Sequence, residues 1–332
     1  MKQWRWVYIS TVFLLVFTVL FHGRSDATEV TIDEWKVPWD DTRPRDPYVG
    51  PDGNVWFVGQ RGDYVARFTP QSGEFKRFDL EPRTGPHNNI VDAKGFVWYA
   101  GNRSAHIGKL DPKTGKITKY PMPEGVIDPH TLIFDGKGNI WFTAQQSNFV
   151  GKLDMKSGQV NAIKVPTPWS RPYGIVMDSH GRVWFNEFAK NKIGMINSVT
   201  MELKEYKLPR KKTRGRRITI SSDGGVWYVD YRGGFLGRLD PETSQVKEWA
   251  VPGGSGAKPY GLTIDERDRL WFVETGPEPN RLVGFDPLSA KFFSSTTIKS
   301  GAGSVRNMVY DASRRQIWFG TDFNTIGRAQ LP

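Results

Sequence analysis

Seven tryptophans recur along the chain at nearly constant spacing, and this repeat restricts the possible folds more than any other feature of the sequence. Each stands in a short apolar run such as Val-Trp-Phe, usually between an Asp-Gly type turn and an Ile-Gly type run, at intervals of 42 to 47 residues. The seven are Trp56, Trp98, Trp141, Trp184, Trp227, Trp271 and Trp318. Four short strands per unit at this period are typical of propeller blades. The sequence therefore predicts an all-β, seven-bladed β-propeller.

The two ends of the repeat array predict how the propeller closes. Residues 32–38 read like the fourth strand at 246–252, although they precede the first complete unit, and the chain stops soon after a third strand at 325–328. We expect the N-terminal strand to complete the last blade, which would leave no exposed sheet edge. The alternative is an open repeat array. Most of the seven tryptophans are expected to serve blade packing.

The first residues of the chain resemble a secretory signal. Lys2 and Arg5 precede an apolar run at 6–21, and small residues around Ala27 fit a cleavage site. We therefore expect a signal peptide at 1–27 and one propeller domain at 28–332, with the mature protein periplasmic or secreted. An uncleaved membrane anchor is the alternative, although the run is short for a span. No second hydrophobic segment follows, so no membrane span is expected after cleavage.

Composition narrows the possible chemistry. The 332 residues include no Cys, which excludes disulfides, thiolate catalysis and Cys-ligated metals. The net charge is +11, and the densest basic run lies at 210–217. Further arginines and a lysine precede other predicted blades and would form a positive rim, which favours an anionic ligand or an acidic protein partner. No nucleic-acid-binding module accompanies them, and no nucleic acid is expected as a partner.

Counting back from the tryptophans predicts which residues share one channel mouth. The first strand of a blade lines the channel, so the residue eleven before each tryptophan should mark its start. These residues are Arg45, His87, His130, Tyr173, Arg216, Tyr260 and Asn307. Polar groups that converge at a channel mouth are the usual form of a ligand site. Arg45, Tyr173, Arg216, Tyr260 and Asn307 are therefore predicted substrate-binding residues.

Two of these residues are candidates for acid–base chemistry. His87 and His130 occupy matched positions in neighbouring blades, and Asp128 lies two residues before His130. An imidazole can accept a proton near neutral pH, and a nearby carboxylate can orient the ring and increase its basicity. We therefore predict His87, Asp128 and His130 as catalytic residues.

A second set of positions carries carboxylates. The residue three after each tryptophan should end the returning strand at the same mouth, and in blades four to six it is acidic: Glu187, Asp230 and Glu274. Oxygen ligands of this kind suit a hard cation. The alternative is that they pair with the basic residues nearby.

Longer motifs point to a known family. The segment 171–194, with Arg-Pro-Tyr-Gly-Ile, Val-Trp-Phe, Glu and Asn-Lys-Ile-Gly, resembles the streptogramin B lyase (virginiamycin B lyase) family, and 258–262 and 85–87 fit the same pattern. The resemblance implies β-elimination that opens the ester of a cyclic depsipeptide, assisted by a magnesium ion. It also implies that His87 and the Asp128-Pro129-His130 segment match the family's catalytic histidines, with His130 removing the proton α to the ester carbonyl.

Two other functions remain open at this point. A related propeller could open a lactone by hydrolysis. Alternatively, a non-catalytic periplasmic propeller could use the basic rim to hold an anionic small molecule or a partner protein. Retained binding without turnover, weakened by salt, would favour this second alternative.

Overall fold

The computed structural model describes Met1 and residues 30–332, so the predicted signal segment and its cleavage site lie outside the described residues. Residues 30–332 form 28 β-strands and one short 3₁₀ turn, Gly254–Gly256. The strands make seven four-stranded antiparallel sheets, each built from consecutive strands except the one that joins the two ends of the chain. The prediction of a seven-bladed β-propeller is confirmed. None of the described helical segments is long and apolar enough to cross a membrane.

The blades are numbered from the one that contains Trp56. Blade 1 contains β2 (Pro44–Val49), β3 (Val55–Gly59), β4 (Tyr64–Thr69) and β5 (Glu74–Asp79). Blade 2 contains β6 (Pro86–Val91), β7 (Val97–Gly101), β8 (His106–Leu110) and β9 (Ile117–Pro121). Blade 3 contains β10 (Pro129–Phe134), β11 (Asn139–Ala144), β12 (Phe149–Asp154) and β13 (Val160–Lys164). Blade 4 contains β14 (Pro172–Met177), β15 (Arg182–Glu187), β16 (Lys192–Asn197) and β17 (Leu203–Lys207).

The remaining blades follow the same plan. Blade 5 contains β18 (Gly215–Ile220), β19 (Val226–Asp230), β20 (Phe235–Leu239) and β21 (Val246–Ala250). Blade 6 contains β22 (Pro259–Ile264), β23 (Leu270–Glu274), β24 (Arg281–Asp286) and β25 (Lys291–Thr297). Blade 7 contains β26 (Val305–Asp311), β27 (Gln316–Thr321), β28 (Thr325–Gln330) and, from the other end of the chain, β1 (Thr31–Lys36).

The ring closes as the repeat predicts. β1 pairs with β28 in antiparallel register from Thr31 opposite Gln330 to Lys36 opposite Thr325. Inside the ring, β2 of blade 1 packs against β26 of blade 7. An open array is thereby excluded, because both ends of the repeat series are joined within one sheet.

The recurring Asp and Trp of each unit are explained by one contact. In blades 2, 4 and 6 the tryptophan Nε1 donates a hydrogen bond of 2.9 Å to the aspartate six residues earlier, as from Trp184 to Asp178. The same carboxylate accepts from backbone amides of the turn between the first two strands, such as Arg182 N at 2.9 Å. The aspartate therefore satisfies a buried indole and shapes the turn at once.

The Ile-Gly run has a packing cause. The aromatic residue that follows the tryptophan covers the glycine of the third strand, and a Cβ on Gly194 would lie 2.1 Å from Phe185. Gly108 and Gly151 are covered in the same way by Tyr99 and Phe142. A larger residue at these positions would displace the aromatic ring from the blade core.

Each innermost strand contains a register shift close to its start, as between Pro172 and Ile175 in β14. The shift lets two consecutive residues, such as Arg216 and Arg217, both find partners across the channel. The start of the first strand pairs with the end of the second in every blade, for example Pro86 with Gly101. The predicted sharing of one face by these positions is therefore correct.

Candidate functional site at the channel mouth

The starts of the seven innermost strands place one polar side chain each around one mouth of the channel. Six of the seven are as predicted, but the pairing of Val305 with Thr321 shows that β26 is offset by one. The position predicted by counting back from Trp318 is wrong because the turn after Asp311 in blade 7 is one residue longer than the corresponding turn after Asp265 in blade 6. We call the resulting set the mouth ring: Arg45, His87, His130, Tyr173, Arg216, Tyr260 and Arg306. Asn307, predicted for this position, lies one residue further into the channel.

The structure brings the two predicted catalytic histidines into direct contact. The ring centroids of His87 and His130 are 3.5 Å apart with an interplanar angle of 37°, and His130 is 4.3 Å from the ring of Tyr173. His130 Nδ1 shares a 2.9 Å hydrogen bond with the hydroxyl of Thr131, whereas His87 Nδ1 has no partner. Side chains more than forty residues apart in the sequence thus meet at the channel mouth.

Both imidazoles are held in the neutral form. Burial lowers the pKa of His87 well below its ordinary value, and Arg45, His130 and Arg217 lower that pKa further. Burial also lowers the pKa of His130, together with Arg217, Arg45 and Arg216. Each ring therefore retains an unprotonated nitrogen at neutral pH, although a positive surrounding opposes its protonation.

Asp128 does not join the histidine pair. Its carboxylate accepts hydrogen bonds from Gln146 N at 2.5 Å, Ser147 N at 3.1 Å and Ser147 Oγ at 2.7 Å. These contacts tie the loop before β10 to the loop after β11. The described contacts give Asp128 this loop-shaping position, and no hydrogen bond links it to His130.

Two tyrosines and an arginine form the other side of the mouth ring. The hydroxyls of Tyr173 and Tyr260 share a short hydrogen bond, and Arg216 Nη1 donates to Tyr260 Oη at 3.3 Å. The Arg216 guanidinium also lies over four aromatic rings, at 3.9 Å from Phe188 and 4.5 Å from Tyr231. The Arg216 Nε group has no partner. Aromatic faces thus hold this cation in place while part of its hydrogen-bonding capacity stays free.

The pKa values of the two phenols shift in opposite directions. Burial raises the pKa of Tyr260, but Arg216, Arg306, Arg45 and Arg217 outweigh burial and lower it to about 8. The pKa of Tyr173 is raised, by burial first and by Tyr260 second. One phenolate shared by the pair is the expected outcome of this arrangement.

A buried ion pair crosses the channel directly below the mouth ring. Arg217 Nη2 lies 2.9 Å from Asp46 Oδ2, Nη1 donates to Thr131 Oγ1 at 3.2 Å, and Nε donates to the carbonyl of Arg306 at 2.8 Å. Asp46 has a left-handed backbone, with φ of 50°. Arg217 thereby links four blades. The sequence analysis placed it only in the basic rim, and Asp46 escaped notice because its position carries no repeated residue type.

Positive charge exceeds negative charge around the mouth ring. Arg306 forms a two-pronged pair with Asp322, and Arg43 approaches the same carboxylate at 3.8 Å. Arg45 donates to Gln60 at 2.8 Å, but its buried Nη2 has no partner. Five guanidinium groups, those of Arg43, Arg45, Arg216, Arg217 and Arg306, thus face two carboxylates. The mouth is suited to an anionic group.

The three predicted metal-binding carboxylates end their strands on the same face but do not converge. Glu274 is bonded to Arg281 at 2.5 Å and to Gly253 N at 2.7 Å, within blade 6. Asp230 accepts from the amides of Arg214 at 2.9 Å and Arg232 at 3.1 Å. Glu187 is fully buried, both its oxygens lack partners, and burial together with Glu205 raises its pKa to about 8.

This donor set does not suit a magnesium ion. In the described part of the chain no three His, Asp or Glu side chains lie close enough to hold a metal together. The groups that do converge at the mouth are guanidinium groups, which repel a cation, and imidazoles, which magnesium does not favour. Magnesium remains an expectation from the family resemblance.

The fold and the site define a class: a closed seven-bladed propeller with a cluster of histidines, tyrosines and arginines at one mouth of its channel. The family model for the virginiamycin B lyase family matches residues 22–282, and the chain belongs to that family. The match covers most of the chain and confirms the resemblance seen in the motifs.

Solved structures agree with this assignment. A streptogramin B lyase structure is 27% identical, with a TM-score of 0.82, covering 91% of this chain and 98% of the other. Virginiamycin B lyase from Staphylococcus aureus is 24% identical, with a TM-score of 0.83 and coverage of 92% and 100%. A catalytically inactive His-to-Ala variant of that enzyme, with quinupristin, has the same identity, coverage and TM-score. A search among curated proteins found no match.

Proposed function

We propose that this protein is an exported carbon–oxygen lyase that opens a cyclic ester or depsipeptide by β-elimination at the channel mouth. The observation that carries the proposal is the contact between His87 and His130 at the channel mouth, among several guanidinium groups. Family membership supports the reaction class. The quinupristin bound to the inactive relative supports a cyclic depsipeptide as the substrate class.

The reaction needs a proton acceptor and a place for new negative charge. A base removes the proton α to a carbonyl, the C–H electrons form a carbon–carbon double bond, and the C–O bond breaks with its electrons on the departing carboxylate. His130 is the proposed proton acceptor, because it is neutral and lies in the mouth ring between His87 and Tyr173. Arg45 and Arg216, each with an unpartnered N–H group, are placed to stabilise the enolate-like oxygen and the new carboxylate.

The surface around the mouth offers room for a bulky ligand. A groove of about 710 Å³ lies beside it, lined by Asp128, Arg103 and Gln146 among others. The apolar side chains of Trp169, Ile127 and Phe323 stand exposed on loops of the same face, with Trp169 75% exposed. Apolar groups around a basic centre are complementary to a macrocycle that carries both ring systems and ester carbonyls.

Mass spectrometry tests this proposal directly. The purified mature protein is incubated with a streptogramin B depsipeptide, with and without magnesium. Elimination opens the ring without changing the mass, whereas hydrolysis, the lactonase-like alternative, adds one water. We expect a mass-neutral ring-opened product, and His130→Asn should lower the rate about 10²–10⁴-fold. His180→Asn, in an exposed turn on the opposite face, is the matched control. Absence of turnover, or equal turnover in His130→Asn, rejects the proposal.

A second function is favoured by one observation, the excess of guanidinium groups over carboxylates at the mouth. A non-catalytic propeller could hold an anionic molecule or an acidic partner protein there. In that case binding would occur without turnover, would weaken with salt, and would weaken further in Arg216→Glu. The same incubation therefore separates the two functions by whether any product forms.

We also propose that residues 1–27 export the protein and that the mature chain is periplasmic or secreted. The basic residues followed by an apolar run and small residues at the end support this location. Determining the N-terminal residue of the protein recovered from its native cell tests it. A mature chain that begins at Thr28 is the expected result, and a retained Met1 would favour the anchor.

A further inference from the structure

The channel contains a cavity on the far side of the Arg217–Asp46 pair. Its volume is about 370 Å³, and none of the mouth-ring side chains lines it. Arg217 forms part of its floor, with Asn88, Thr131 and Asn307. Arg217, bonded to residues from three other blades, lies between this cavity and the mouth ring. The cavity is therefore separate from the site proposed for catalysis.

The wall of this cavity is formed by one residue from each innermost strand. We call these residues the inner ring: Pro47, Asn89, Leu132, Ile175, Ile218, Leu262 and Met308. Six are apolar, and Asn89 in blade 2 is the exception. The repeat thus provides its own comparison, since leucine fills the position of Asn89 in blades 3 and 6. A mainly apolar pocket with few polar groups is the usual form of a small-molecule site.

Asn89 has hydrogen-bonding capacity that the protein leaves unused. The side chain is 1% exposed, and its Nδ2 donates to the carbonyl of Asp46 at 2.8 Å. This bond identifies Nδ2 as the donor, and in this orientation Oδ1 is left buried without a partner. A buried acceptor without a donor is unfavourable, and a bound molecule that supplies a donor would relieve it when the amide turns toward the cavity.

The residues around Asn89 favour a bound molecule whose hydrogen-bond donor is uncharged. Asn307 of blade 7 lines the same cavity, and its side chain makes no hydrogen bond in the described part of the structure. The one formal charge in the cavity lining, Arg217, is paired with Asp46 at 2.9 Å. Of the three neutral amides in the lining, those of Asn89 and Asn307 have unused hydrogen-bonding groups, and little in the cavity would compensate the burial of a charged ligand.

We propose that this cavity is a second ligand site, separate from the mouth, for a small uncharged molecule with an apolar body and an amide or hydroxyl donor that Asn89 Oδ1 receives. The site needs no residue of the mouth ring, so it does not depend on the lyase proposal. It is also opposite in preference to the mouth, which selects negative charge.

Three probes of similar shape test the proposal: benzamide, benzoate and toluene, measured by ligand-observed NMR on the purified mature protein. We expect saturable binding of benzamide at least tenfold tighter than of benzoate or toluene. Ile218→Trp, which fills the cavity, should abolish benzamide binding. Tyr260→Phe, at the mouth, should leave it unchanged.

Asn89→Leu distinguishes the donor contact from simple apolar filling. This variant installs the residue that blades 3 and 6 already carry, and it should weaken benzamide at least tenfold while toluene binds as well or better. Circular dichroism verifies that each variant is folded. Where a variant does not fold, a crystal structure of the unmodified protein with benzamide decides the question, because the amide must then lie within hydrogen-bonding distance of Asn89 Oδ1. Tighter benzoate binding, benzamide elsewhere in the crystal, or no saturable binding overturns the proposal.

Discussion

The mouth ring and the three carboxylates at Glu187, Asp230 and Glu274 occupy the same face, recur at matched repeat positions, and are both polar, yet only the mouth ring forms a site. Mouth-ring residues start the innermost strands, so they point toward the axis and meet residues from other blades. The carboxylates end the second strands, and Asp230 and Glu274 are bonded within their own blades. The position of a residue within the repeat therefore specifies the face of the propeller at which it lies. Whether its side chain reaches the axis depends on which strand of the blade carries it.

The electrostatic environments of the mouth ring and of the three carboxylates differ for the same reason. Around the axis, guanidinium groups from several blades accumulate and act together on the histidines and on Tyr260. At the carboxylate positions, burial and then the neighbouring Glu205 raise the pKa of Glu187.

Removing the ion pair that crosses the channel should have the largest effect. Arg217→Met leaves the buried Asp46 carboxylate with only the longer 3.4 Å contact to Arg45, and we expect a loss of about 3–5 kcal/mol in the free energy of unfolding, measured by urea denaturation. The double variant Asp46→Asn with Arg217→Met is the control, because it removes both charges and should recover part of that loss. A single variant as stable as the parent protein would show that the pair does not join the blades energetically.

The histidine pair should make the protein sensitive to acid. The pKa of each histidine is lowered in the folded state, so the unfolded chain takes up protons first, and stability that is complete above about pH 6.5 is lost as the pH falls from there. Each histidine adds a slope of up to about 1.4 kcal/mol per pH unit. Urea denaturation from pH 7.5 to 5 checks this. The double variant His87→Gln with His130→Gln should flatten the slope, and an unchanged slope would assign the acid sensitivity elsewhere.

Two of the carboxylates should respond in opposite ways to amide substitution. Glu274→Gln weakens the charge-assisted bonds to Arg281 and Gly253, and we expect a loss of about 1 kcal/mol near pH 7. For Glu187 the folded pKa is raised from 4.5 to about 8, so this residue favours the folded state at low pH and that contribution is lost as the pH rises toward 8. Glu187→Gln should therefore be more stable than the parent protein above pH 8. Thermal unfolding at pH 6 and pH 9 measures both effects.

Substitution of Tyr260 should produce the smallest change, a loss of early phenol ionisation that only spectroscopy detects. Its pKa of about 8 predicts that one phenol ionises well before ordinary tyrosines, and phenolate absorbance in the near ultraviolet records this in the native protein. Tyr260→Phe should remove the early step. Tyr48→Phe, on the channel wall beyond the mouth ring, is the control and should leave the step in place. If the early step persisted in Tyr260→Phe, the arginine field at the mouth would be weaker than the structure indicates.

The histidine and arginine positions show how much of the site could be predicted from the sequence. The tryptophan count predicted that His87, His130, Tyr173, Arg216 and Tyr260 share one mouth, because a repeat of fixed length keeps each strand start in register. The count misplaced blade 7, where one additional turn residue puts Arg306 at the mouth and Asn307 deeper. The contact of Tyr173 with Tyr260 could not be read from spacing, since it depends on which rotamers the intervening Arg216 allows.

The sequence alone determined the number of blades, the closure by the N-terminal strand and the face of the site, because these follow from local patterns repeated seven times. The tertiary structure alone decided that Arg217 crosses the channel to Asp46, that Asp128 binds loop amides, and that the three carboxylates stay apart. Those outcomes depend on distances between different blades, and a one-dimensional repeat specifies the order of the blades but not the reach of each side chain across the axis.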